Sequence, residues 1–135
     1  MSEERRFTPG QRATLTRVIT ADLVERFAAL TGDTNPLHLD EAFARQTRFG
    51  RRIAHGVLGL ALISAVLGTQ LPGPGAIYLE QYIRFLRPVY LDDQITAEVE
   101  VLAWDPERRR LRLQTRCLND QGQEVIRGEA LVMVE

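Results

Sequence analysis

The chain has 135 residues, 44% hydrophobic and 26% charged, enough for one globular domain with a real core, taken as residues 1–135. With 17 basic and 18 acidic residues its formal net charge is -1, so neither a nucleic-acid footprint nor attraction to anionic membranes is expected. One cysteine, Cys117, rules out an internal disulfide and fits a reducing compartment.

Met1 to Arg6 carries no apolar run, so no secretory signal is expected and the chain reads as a soluble cytoplasmic protein. Arg12 to Ile19, rich in β-branched residues, predicts a first strand. Thr20 then stands where an N-cap belongs, and Leu23, Phe27 and Leu30 follow at helical spacing up to Gly32. Thr31 to His38 reads Thr-Gly-Asp-Thr-Asn-Pro-Leu-His; Gly32 ends the helix and Pro36 pushes Asn35 towards extended geometry, so this stretch is expected to be non-helical. Leu39 to Thr47 predicts a second, short helix with Phe43 and Ala44 as its apolar contacts, and Phe49 to Ala54 an irregular basic connection.

From His55 or Gly56 to Gln70 the chain is apolar on every face, with small residues spread through it. That is the pattern of an enclosed helix, yet its longest apolar run, Val57 to Leu67, is too short to cross a bilayer. Leu71-Pro-Gly-Pro-Gly75 ends it. Everything beyond alternates. Ile77, Leu79, Ile83 and Phe85 share one face; Ile95, Ala97, Val99, Val101 and Ala103 another; then Leu111, Leu113, Thr115 and Cys117; then Ile126, Gly128, Ala130, Val132 and Val134. With the first strand this makes an antiparallel five-stranded sheet with one apolar face, wrapped around the long helix in an α+β domain. The helix is too apolar for one sheet to cover, which favours a symmetric dimer.

Two histidines and one loop carry the candidate chemistry. Asp33 and His38 are five residues apart with a proline between them, and a bend there brings a carboxylate and an imidazole within reach of one water. The same residues also suit a plain capped loop, with Asn35 starting a turn. His55, before the apolar helix, is either a residue bonding nearby backbone or part of the site. Gly56 lies in the first helical turn, where free N–H groups can stabilise the oxyanion of a thioester carbonyl, or it merely eases a tight turn. Ser64 has no nucleophile-elbow context, and Cys117 reads as a small core residue. A two-histidine, one-carboxylate metal site matches no specific spacing, so no metal is expected. Arg108 to Arg110 reads as a solvated edge that can also meet a phosphorylated ligand.

Phe27-Ala-Ala-Leu-Thr-Gly-Asp-Thr-Asn-Pro-Leu-His38, followed by Ala44, resembles the hydratase signature of MaoC-like proteins, the R-specific enoyl-CoA hydratases and related dehydratases. The likeness continues through Arg52-Ile-Ala-His-Gly56, Leu71 to Leu79 and Phe85-Leu-Arg-Pro-Val89. It implies the hot-dog fold, usually paired as a homodimer, and reversible addition of water to a trans-2-enoyl thioester, giving an (R)-3-hydroxyacyl thioester. By the same resemblance Asp33 and His38 activate the water and return a proton to the α-carbon, so that addition is syn, while Gly56 N–H polarises the carbonyl. Asn35, Ser64 and His55 are expected on the substrate side, Asn35 shaping the loop and Ser64 near the acyl group. No cofactor is implied, coenzyme A arriving as part of the acyl-CoA substrate. Arg48, Arg51 and Arg52 suit either a coenzyme A or a carrier-protein phosphate. The alternatives are a 3-hydroxyacyl-ACP dehydratase of the same family, a hot-dog thioesterase, and a non-catalytic acyl-thioester sensor.

Overall fold

The computed structural model describes residues 6–135. In chain order these form β1 (Arg12–Val18), α1 (Ala21–Thr31), α2 (Pro36–Leu39), α3 (Glu41–Arg45), α4 (Gly56–Thr69), β2 (Ala76–Phe85), β3 (Gln94–Asp105), β4 (Arg110–Leu118) and β5 (Glu124–Val134). The strands make one antiparallel sheet in the order β1-β3-β4-β5-β2. Its inner face curls around α4, which packs on β1, β2, β3 and β4. This is the hot-dog arrangement of one long helix in a sheet.

The core follows from the alternation. Ile95, Ala97, Val99 and Val101 of β3, Leu111, Leu113, Thr115 and Cys117 of β4, and Ile126, Ala130, Val132 and Val134 of β5 are all buried. They meet Leu58, Ile63, Val66 and Leu67 of α4. Each such aliphatic side chain contributes about 1.5–3 kcal/mol by leaving water.

Four expectations change. The stretch ending at His38 is partly helical: Asn35 Oδ1 accepts from Leu37 N (3.0 Å), Pro36 takes the first helical position and α2 makes one turn. Proline is well suited to that position, because its fixed φ is helical and its missing N–H would have no partner there. The following helix is accordingly split at Asp40, which caps α3 by accepting from Phe43 N (3.1 Å). In β2 the register slips between Tyr78 and Glu80, inserting Leu79 as an extra residue. A bulge reverses the alternation, so Ile77 and Leu79 are exposed while Ile83 stays on the inner side. A second slip at Leu102 likewise exposes Ala103 and moves Trp104 inward, opposite Leu111.

An apolar stripe is left open. Val57, Ala61, Ser64 and Gly68 fall on one exposed side of α4, and the edge strand β2 exposes Ile77, Tyr78, Leu79, Tyr82 and Phe85. Among the described residues no helix is long and apolar enough to cross a membrane.

Candidate active site

The site is built where α1 stops. Gly32 adopts the left-handed conformation (φ 82°) and its N–H closes the helix on Ala28 O at 2.8 Å. The chain turns sharply into Asp33, whose N–H donates to Thr31 Oγ1 (3.2 Å) and whose Oδ1 accepts from Asn35 N (3.4 Å). Asn35 then caps α2, and one turn later His38 lies buried at 9% exposure. The turn thus brings an exposed carboxylate and a buried imidazole into one small volume.

His38 is fixed by its ring. Its Nδ1 lies 2.7 Å from Ile53 O, and a carbonyl oxygen only accepts. Nδ1 therefore carries the proton in the neutral ring, leaving the lone pair on Nε2. Burial holds the His38 pKa below its ordinary 6.5, against the upward pull of that carbonyl and of the Asp33 carboxylate; the neighbouring His55 lowers it further.

His55 is 3% exposed, with its ring 3.9 Å from that of His38 and 4.9 Å from that of Phe27. Its Nε2 donates to the backbone carbonyl of Asp33 at 3.0 Å. It ties the beginning of α4 to the Asp33 turn and supplies a wall for His38. One ligand atom each of Asp33, His38 and His55 lie within 4.8 Å of one another. A cation held by all three would occupy the lone pair of His38 that a proton-transfer role needs.

His55 is the N-cap of α4 but its side chain makes no cap hydrogen bond, so the first helical turn is left to other acceptors. Gly56, Val57 and Leu58 of that turn line a cavity of about 500 Å³ that also touches Asp33 and His38. A Cβ on Gly56 would come within 2.8 Å of the Phe85 ring, so the space beside this glycine is already filled by an aromatic side chain. The cavity continues over Gly59, Cys117 and Ile126, an apolar lining suited to an acyl chain. Burial pushes the Cys117 thiol up to about 12, so it stays protonated and serves as a small apolar surface.

The structure thus brings Asp33, His38, His55 and Gly56 together. Asn35 shapes the turn without lining the cavity. Ser64 does not line it either: it belongs to the exposed stripe of α4, three residues after Ala61. Of the three arginines assigned to a phosphate, Arg48 lines the cavity, Arg51 lies over the Tyr90 ring (4.0 Å) and Arg52 turns inward. Sequence reasoning missed Arg87 and Phe85 as cavity residues. Both lie in or beside the Phe85-to-Val89 motif, whose signal was present but carried no assigned role.

Residues 5–119 match the MaoC like domain. The chain is 51% identical over 126 residues to the 3-hydroxybutyryl-CoA dehydratase of Methylorubrum extorquens, covering 93% of this chain and 79% of that one. It is 48% identical over 125 residues to the (R)-specific enoyl-CoA hydratase of Rhodospirillum rubrum, with 93% and 86% covered. Among solved structures it superposes on the (R)-hydratase from A. caviae involved in PHA biosynthesis with a TM-score of 0.92 at 46% identity, covering 96% and 98%.

Proposed function

The chain belongs to the MaoC-like domain family, and on that premise we propose that it is a hydro-lyase that hydrates trans-2-enoyl-CoA to (R)-3-hydroxyacyl-CoA, and runs the reverse dehydration. The observation that carries this reading is a single cavity joining Asp33, His38 and the first turn of α4 to an apolar lining. A thioester needs all three: a base for water, a donor for the carbonyl oxygen and a dry place for the chain.

The substrate carbonyl accepts from Gly56 N–H, which draws electron density from the double bond and leaves C3 electrophilic. A water held between the Asp33 carboxylate and His38 Nε2 loses a proton to that pair as its oxygen bonds to C3. The electrons of the double bond move into the thioester enolate, whose C2 then takes a proton back from the same pair. Water is consumed, the proton count closes, and both additions come from one face. A positioned base of this kind contributes about 10²–10⁴-fold. No metal or redox group enters these steps, so dialysis against a chelator leaves the rate unchanged.

A second copy of the chain is the proposed partner, covering the stripe of Val57, Ala61, Ser64 and Gly68 together with the exposed side of β2. In that arrangement Ser64 belongs to the contact between copies. Arg48 and Arg87 at the cavity suit the phosphates of coenzyme A.

The test is crotonyl-CoA followed at the enoyl-thioester absorbance with a thiol reagent present. Loss of the band without thiol release supports hydration. Release of free thiol would instead make the protein a thioesterase.

A further inference from the structure

We propose that Arg52 is a positioning residue of this site, holding His38 by its backbone carbonyl while the adjacent Ile53 carbonyl holds it by its ring. This rests on the hydratase reading above and adds a residue to it. The four-residue α2 is too short to satisfy its own C-terminal carbonyls. That of Pro36 is taken by Asp40 N at 2.9 Å, and that of His38 by the Nε–H of Arg52 at 2.7 Å. The Arg52 side chain is only 14% exposed. Its Nη2 lies 3.6 Å from Glu25 Oε2 of α1, within ion-pair range but beyond a hydrogen bond, and has no hydrogen-bond partner among the described residues. A guanidinium is costly to bury, and here its Nε–H bonds the residue that carries the reactive imidazole.

Two consecutive residues therefore grip His38 at two points, and the segment they belong to is itself fastened. Ala54 N donates to Val89 O at 2.7 Å, Ile53 pairs with Tyr90, and the Tyr90 hydroxyl donates to Phe49 O at 3.2 Å. The grip thus runs from the β2–β3 connection through Arg52 and Ile53 to His38. Arg52 does not line the cavity, so its loss misaligns the base without removing a contact to the substrate.

The experiment compares kcat and KM of the wild type, Arg52→Met, Arg52→Lys and Glu25→Gln on crotonyl-CoA, with melting curves. In Arg52→Met, kcat falls by about 10- to 100-fold, as a misplaced catalytic group costs, while KM stays within about threefold. Arg52→Lys keeps a donor and falls between the two, and Glu25→Gln keeps the wild-type kcat. A folded Arg52→Met with wild-type kcat overturns the proposal, as does a Glu25→Gln variant that reproduces its loss, since the ion pair to α1 would then be the whole role. If Arg52→Met does not fold, Arg52→Lys decides: a reduced kcat at unchanged KM supports the role, and a raised KM at unchanged kcat overturns it. The variants are compared on trans-2-octenoyl-CoA if the wild type leaves crotonyl-CoA untouched, and a wild type inactive on both defeats the hydratase reading itself, and this proposal with it.

Discussion

An imidazole serves as a base only while one ring nitrogen keeps its lone pair, and His38 secures this in two ways. The Ile53 carbonyl fixes the tautomer, and burial disfavours the protonated ring. Asp33, exposed at the turn, supplies the partner carboxylate. Asp33→Asn and His38→Gln should each lower kcat by about 10²–10⁴-fold while leaving the melting temperature close to that of the wild type. Steady-state kinetics and thermal melts of the same preparations check both halves of that statement. The pH dependence follows from the direction of the His38 shift. Because its pKa is lower in the folded chain than the ordinary 6.5, the unfolded chain takes up the proton first as pH falls. Both the acid limb of kcat/KM and the stability that the neutral ring contributes should therefore be intact above pH 6.5 and decline below it. An acid limb above 6.5 in the pH–rate profile would contradict the burial argument.

At the scale of elements, α4 decides the fold and the turn before α2 decides the site. Ile63 of α4 is fully buried among the inner strand residues, so Ile63→Ala should cost about 2–5 kcal/mol, measured by denaturant unfolding. Both α4 and the inner faces of β4 and β5 were legible in the sequence. An all-apolar run of helical length and a strict alternation each admit one placement. Thr20 as a helix cap was legible too, since its Oγ1 accepts from Leu23 N at 3.1 Å. What was not legible depends on single residues in context. Leu79 and Leu102 look like ordinary members of their strands, and only pairing with β5 and β4 makes each the extra residue that reverses the faces. Pro36 was read as a breaker, whereas with Asn35 before it a proline begins a helix. Asp33, His38 and Gly56 stood out because of their motif, but the inward turn of Arg52 and the outward face of Ser64 depend on neighbours that sequence spacing does not specify.

For the whole molecule, the exposed side of α4 and the edge strand β2 form an apolar surface, the one on which a second copy is proposed to pack. Leu79, exposed at the β2 bulge, lies on it. Leu79→Glu should halve the mass found by light scattering after size exclusion, with the wild type running as a dimer; a monomeric wild type would contradict the pairing. In the proposed reaction one pair, Asp33 and His38, serves both carbons of the double bond from one side. Its most direct test is hydration of crotonyl-CoA in deuterated water, followed by NMR and chiral analysis of the product. The expected product is (R)-3-hydroxybutyryl-CoA with a single deuterium at C2 on the same face as the new hydroxyl. Deuterium on the opposite face would mean that the two carbons are served by groups on different sides and that this pair does not act as described, and an S product would mean that the pair meets the other face of the double bond.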